Sequence, residues 1–130
     1  MDERGAPLSI IVCGANEHDV KKILEVMEGV IIERPTEINE NLCLDAGYVG
    51  ANEVVIEHGY TPHIRPRGEE MTEKEKNPDY KPRRWIVEVS HSWFNRFRKI
   101  APRYEKTHAS CLALHHLAAA IICFRKAGVT

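Results

Sequence analysis

The first 65 residues alternate between strand-like and helix-like patterns of apolar positions. A β-branched run over residues 7–13, bracketed by Gly5 and Gly14, predicts a buried strand that follows a turn at residues 2–5. The spacing of Val20, Ile23 and Met27 predicts a helix that starts beyond the capping residues 16–19. Three further elements follow from the same rules: a strand over residues 41–45, a helix over residues 51–58 with Gly59 as its C-cap, and a short strand over residues 61–65.

The second half is helical after a break. Residues 67–81 combine Gly68, Pro78 and dense mixed charge without periodicity and are followed by Pro82, which predicts an exposed loop or insertion over 66–82. An apolar stripe then recurs every three or four residues from Trp85 to Ile100, so one helix is expected up to Pro102. Residues 108–126 are helical and nearly apolar all round, which predicts burial against the sheet. The order of elements predicts a single α/β domain over 1–130, with a short central sheet flanked by helices.

Composition and charge narrow the class of protein. The chain has 130 residues, 43% of them hydrophobic, with no basic-then-apolar signal pattern and no apolar run of about 18 residues, so we expect a cytoplasmic protein without a membrane span. The four cysteines form no C-x-x-C pair and are expected to be free thiols. Residues 1–65 carry a net charge of −7 and residues 66–130 a net charge of +6. That polarity fits either a polyanion partner or a solvated dipolar surface.

Two carboxylates are candidates for chemistry. Asp45 closes a predicted strand just before Gly47, and side chains at the carboxyl ends of strands in open α/β sheets face the ligand crevice. Glu88 lies off the apolar stripe, on a helix face that it shares with Arg84, His91, Asn95 and Arg98. Glu88 would either form helical ion pairs with the surrounding cations or bind a divalent cation whose substrate is anionic.

Several motifs in fixed order resemble the C-terminal half of DDE-type transposases of bacterial insertion elements. These motifs are Asp2-Glu-Arg-Gly-Ala-Pro-Leu8, Leu44-Asp-Ala-Gly-Tyr48, Arg83-Arg-Trp-Ile-Val-Glu88, Trp93-Phe-Asn-Arg-Phe-Arg98 and Arg103-Tyr-Glu-Lys106. The resemblance extends over almost the whole chain. It implies a partial ribonuclease H-like fold, which agrees with the order of elements expected from the sequence pattern.

The resemblance also implies a reaction and a site. Members of this family cleave and transfer DNA strands with an Asp-Asp-Glu triad that binds two Mg²⁺ or Mn²⁺ ions, which suits hard cations and phosphodiester chemistry. Asp45 matches the second Asp, and Glu88 matches the Glu. The DNA-binding positions implied are Arg83, Arg84, Asn95, Arg96, Arg98, Arg103 and Lys106.

Two departures from the family pattern change these expectations. The first Asp and its strands would lie upstream of Met1, so we expect a fragment that is incompetent alone and that is poorly stable or self-associates. Such a fragment is either a remnant of a decayed element or the second of two reading frames, whose partner would be an upstream-frame chain. Val89 stands where the family usually has Arg, which is expected to weaken one phosphate contact. The alternative function is a non-catalytic DNA-binding remnant that holds the phosphate backbone with its basic C-terminal helices.

The residues also suggest a zinc site, base-stacking aromatic residues and a catalytic histidine as alternatives. A zinc site would draw on His108, Cys111, His115, His116 and Cys123, but its fourth ligand is not evident, and a cysteine on an apolar helix is commonly a small buried hydrophobe. The aromatic residues Trp85, Trp93, Phe94 and Phe97 could stack on bases, but their helical spacing favours core packing. His91, between Glu88 and Asn95, fits a surface histidine better than a catalytic one.

Overall fold

The structure is a computed structural model that describes residues 1–14, 16–64 and 85–128. The expected loop at 66–82, with Arg83 and Arg84, lies outside these residues. The elements are helices α1 (Ile23–Glu28), α2 (Asn52–Glu57), α3 (Trp85–Asn95) and α4 (His108–Lys126), strands β1 (Asn41–Leu44) and β2 (Thr61–Ile64), and 3-10 helices at Asp19–Lys22 and Ala46–Ala51.

Strands β1 and β2 form a two-stranded parallel sheet joined by α2. Asn41 pairs with Thr61 and Leu44 pairs with Ile64, so the two strands end at the same edge. Exposure alternates along both strands, and their apolar residues face a core of Ile23, Met27, Ala51 and Val55. The helix, strand, helix and strand expected between residues 20 and 65 are therefore confirmed, with small shifts at their ends.

Gly59 ends α2 in a conformation that few other residues adopt. Its φ is +76°, and the guanidinium nitrogens of Arg34 would lie 3.4 Å from an added Cβ. Arg34 Nη2 donates to the His58 carbonyl at 2.6 Å, and its guanidinium carbon lies 4.2 Å from the Tyr60 ring centroid. Arg34 thus satisfies a carbonyl at the C-terminal end of α2, where a cation is favoured.

Gly59→Ala is expected to destabilise the fold by about 1 kcal/mol, because a left-handed φ is costly for residues with a Cβ. Gly47→Ala is the matched control, since an added Cβ at Gly47 meets no atom within 4 Å and its φ is not positive. Urea unfolding followed by circular dichroism measures both variants. Equal midpoints for Gly59→Ala and Gly47→Ala would contradict this assignment.

The segment 7–13 is not a strand, contrary to the sequence prediction. Within the described residues it makes no backbone–backbone hydrogen bond. Side chains of α4 bind its carbonyls instead: Cys123 Sγ donates to Pro7 O at 3.5 Å, and His108 Nε2 bonds Val12 O. The five residue steps from Pro7 to Val12 span roughly 17 Å when extended, and the fifteen from His108 to Cys123 span roughly 22 Å of helix. Because Pro7 contacts the later residue of α4 and Val12 the earlier one, the segment runs antiparallel along α4.

The turn at the N-terminus is confirmed, and it ties this segment to α3. Asp2 Oδ1 accepts from Arg4 N at 2.9 Å and from Ala6 N at 2.7 Å, which closes an Asx turn. Gly5 follows with φ +76°, and its carbonyl accepts from Ser90 Oγ at 3.0 Å. Ser90 is only 3% exposed, so this bond satisfies a buried hydroxyl of α3.

Helix α3 ends at Asn95, seven residues before Pro102, where the sequence placed its end. Phe97 N donates to Phe94 O at 3.0 Å and Ile100 N donates to Phe97 O at 2.9 Å, so tight i−3 turns replace the helix. Phe97 and Ile100 remain half-buried. The apolar spacing of three residues continues through these turns, which is why the pattern predicted a longer helix.

Helix α4 has the expected bounds, and Thr107 caps it by accepting from Ser110 N at 3.1 Å. The expectation that α4 is buried against the sheet is wrong, because it packs on α3 and on the N-terminal segment, and Leu117 and Phe124 are 59% and 56% exposed.

By length and mean hydropathy, 1.2, α4 also reaches the range of a membrane span, which the sequence pattern had excluded. Core helices of water-soluble proteins meet the same test, and His115 and His116 lie near the middle of α4.

Candidate functional site

Asp45 lies at the carboxyl end of β1, as the sequence predicts. Its Oδ1 accepts from Ala46 N at 2.7 Å and its carbonyl accepts from Tyr48 N at 2.9 Å, so it caps the 3-10 helix that follows. The side chain is exposed. A carboxylate at the end of a parallel strand, held by a backbone amide and open to solvent, is placed to receive a cation or a ligand.

Tyr48 connects Asp45 to the N-terminal part of the chain. Burial raises the pKa of the Tyr48 phenol, and the negative charges of Asp19 and Asp45 add to that effect, with Cys13 contributing last. The phenol is therefore neutral and able to donate a hydrogen bond over the physiological range. The 3-10 helix that begins at Asp19 contacts the 3-10 helix that contains Tyr48 and follows Asp45.

Glu88 lies in the first turn of α3 and is exposed. His91 and Asn95 are exposed as well, so the polar face expected from helical spacing is present between residues 88 and 95. The opposite face carries Ser90 and the half-buried residues that pack toward α4. The side chain of Glu88 therefore points away from the α3–α4 contact.

The connection between α3 and α4 is strongly cationic. We call residues 96–106 the basic turn; it contains three arginines, two lysines and one glutamate, a net charge of +4. Arg98, Arg103 and Lys106 are exposed. Arg96 is exposed too, with its guanidinium carbon 4.7 Å from the Trp93 ring centroid, so this cation is held over an aromatic face. Four of the seven expected DNA-binding residues thus lie in one short segment.

The described residues bear on two of the alternatives, the zinc site and the base-stacking aromatic residues. They contain no group of three or more His, Cys, Asp or Glu side chains able to hold a metal ion, so the zinc alternative has no support there. Cys111 Sγ and His115 Nδ1 are 3.9 Å apart, but that nitrogen bonds the Cys111 carbonyl at 2.8 Å. Trp93, Phe94 and Phe97 are half-buried, as the core-packing alternative predicts.

Tyr104 is a residue that the sequence pattern did not single out. It is 74% exposed and lines a cleft with Lys99 and Arg103. Tyr104 lies outside the apolar spacing that ends at Ile100, although an aromatic residue between Arg103 and Glu105 could have drawn attention to it.

These features define an α/β domain with exposed carboxylates and a cationic turn, and comparison with known families agrees. A family model described as "Transposase DDE domain" matches residues 42–125, more than half of the chain, and the chain belongs to that family. The protein assigned as the transposase of insertion sequence element IS402 in Burkholderia cepacia is 26% identical over 130 residues. That match covers 95% of this chain and 59% of the relative's length. No solved structure matches the chain.

Proposed function

We propose that this chain is part of a transposase catalytic domain that cleaves DNA and transfers its strands, and that it acts on transposon ends and target DNA in the cytoplasm. The observation that carries the proposal is the family match over residues 42–125, which includes Asp45, Glu88 and the basic turn. The two-stranded parallel sheet with its helices is compatible with a partial ribonuclease H-like fold.

Asp45 and Glu88 are the proposed catalytic residues and the ligands of Mg²⁺ or Mn²⁺. Both side chains are exposed carboxylates, the donor type that hard cations prefer. Two bound cations about 4 Å apart would stabilise the attacking and leaving oxygens of an in-line displacement at phosphorus. Asp45 and Glu88 are the two proposed ligands, and the described residues contain no group of three or more His, Cys, Asp or Glu side chains able to hold a metal ion. We therefore expect weak metal binding by this chain.

The basic turn supplies the proposed grip on DNA. Arg98, Arg103 and Lys106 are exposed and close in sequence, which suits contacts to successive phosphates. Asn95, the last residue of α3, and Arg96, just after it, would extend this surface toward Glu88. Arg83 and Arg84, also proposed as DNA contacts, lie outside the described residues. The proposed phosphate contacts of the basic turn would thus follow directly on the helix that carries one proposed metal ligand.

Association with another chain is part of the proposal. The segment 7–13 is apolar and lacks backbone partners within the described residues, and Leu117 and Phe124 expose apolar surface on α4. The chain spans 59% of its relative's length, and the proposed partners are an upstream-frame chain or a second copy of this chain.

A non-catalytic DNA-binding remnant is the second candidate, favoured by the exposed basic turn together with the two-carboxylate donor set. A plasmid-nicking assay separates the two functions. These 130 residues, joined to the remaining length that the Burkholderia relative carries, should nick DNA bearing transposon ends with Mg²⁺ and should stop when EDTA is added. DNA binding without nicking in that extended chain would favour the remnant.

A further inference from the structure

A cleft opens where the basic turn meets the start of α4. The cleft is shallow and open, and the space along its lining residues amounts to about 180 Å³ only when open solvent is counted. Its apolar lining is buried Cys111 with half-buried Ile100 and Leu114. Its lining also includes exposed Lys99, Arg103 and Tyr104. A base is a flat aromatic group and its phosphate is an anion, so these two kinds of lining suit the two parts of a nucleotide.

Tyr104 is the most informative residue of this cleft. Its side chain is 74% exposed, the highest value among the aromatic residues described, although burial would stabilise so large a ring. Stacking between an aromatic ring and an unpaired base is a main source of affinity for single-stranded nucleic acid. The two adjacent cations, Lys99 and Arg103, suit the phosphate of the same nucleotide.

Two polar side chains of the cleft, those of His115 and Glu105, limit the ligands that it can bind. His115 Nδ1 lies 2.8 Å from the Cys111 carbonyl, which only accepts, so the ring proton is on Nδ1 and Nε2 of the neutral ring is an acceptor. The half-buried carboxylate of Glu105 is a second acceptor. Both groups would repel a second phosphate, and both can accept from the amino group of a base.

We propose that this cleft binds one unpaired nucleotide of a DNA strand, with its base on Tyr104 and its phosphate on Lys99 and Arg103. The inference rests on the proposed function, because it names the form of DNA that the basic turn receives. Duplex contacts by Arg98 and Lys106 need no such cleft. The cleft adds a separate preference for a strand with a base free of its partner.

The test measures binding of a single-stranded oligonucleotide that carries one 2-aminopurine, followed by its fluorescence. The native chain should quench the probe, and Tyr104→Ala should weaken binding roughly tenfold and remove the quenching, since a stacked base contributes on that scale. Tyr104→Phe should retain both. Ile31→Ala is the control, because Ile31 is a 90% exposed apolar residue that does not line the cleft.

Each outcome decides the proposal. Unchanged quenching in Tyr104→Ala, or equal affinity for an oligonucleotide whose probed position is abasic, overturns the cleft assignment. If a DNA duplex still binds the native chain in that case, the proposed DNA function stands without the cleft. If neither duplex nor single strand binds the native chain, both proposals fail. Loss of quenching in Tyr104→Ala with duplex binding intact supports the cleft specifically.

Discussion

Asp45→Asn and Glu88→Gln should each reduce metal-dependent DNA nicking by about 10³-fold in the extended chain. Losing one carboxylate ligand removes several kcal/mol of transition-state stabilisation, and each 1.36 kcal/mol is tenfold in rate. Asparagine can still cap the 3-10 helix at Ala46–Ala51, so Asp45→Asn should leave the local fold intact. The readout is the initial rate of plasmid nicking at saturating Mg²⁺.

Glu53→Gln is the matched control for Glu88→Gln. Glu53 is an exposed glutamate in the first turn of α2, as Glu88 is in the first turn of α3, so both substitutions remove the same charge from the first turn of a helix. Glu53→Gln should nick DNA at the native rate. Native rates in both Asp45→Asn and Glu88→Gln would show that these two carboxylates take no part in the chemistry.

Removing two cations of the basic turn should weaken duplex binding in a salt-dependent way. The double variant Arg98→Ala with Lys106→Ala is expected to lower the slope of log affinity against log salt by about 1.8, at roughly 0.9 per phosphate contact. Affinity at 0.1 M salt should fall roughly 50-fold on the same basis. Fluorescence anisotropy of a labelled duplex across a salt series measures both quantities.

The control for that variant removes the same residue types elsewhere. Lys21→Ala with Arg125→Ala also deletes one lysine and one arginine, both exposed and both outside the basic turn. For this control, the slope of log affinity against log salt should equal that of the native chain. If both double variants lower that slope by the same amount, binding depends on total charge alone, and the basic turn is not the DNA-binding surface.

Local signals predicted the elements around Asp45 well. The apolar run that closes on an acid before Gly47 predicts β1 and the place of Asp45, because both depend on residues adjacent in sequence. Gly59, with φ +76°, likewise marks the end of α2. The apolar pattern over residues 108–126 likewise predicts the bounds of α4.

Two of the errors concern partners distant in sequence, and the third concerns a local turn. Residues 7–13 have strand composition, but a strand needs backbone partners, and within the described residues this segment contacts side chains of α4 instead. The end of α3 was misplaced because tight turns at Phe97 and Ile100 reproduce helical spacing. The exposure of Leu117 was missed because an apolar pattern does not say which neighbours are present to cover it.

The same contrast between local signals and distant contacts applies to the candidate site. The position of Asp45 at a strand end and the exposed polar face of α3 were predictable from periodicity alone. The cleft beside Tyr104 was not, because it forms only where the basic turn folds back on α4. The approach of Asp45 to Glu88 stays a prediction, since it depends on how α3 is placed beside β1.

That approach is tested most directly by Mn²⁺-induced broadening of backbone amide signals in the NMR spectrum of this chain, a readout that suits weak binding. The amides of Ala46 and Val89, neighbours of Asp45 and Glu88, should broaden together at the same Mn²⁺ concentration. Either Asp45→Asn or Glu88→Gln should remove the broadening at both positions. Broadening at one position alone, or broadening that survives both substitutions, would contradict a shared metal site.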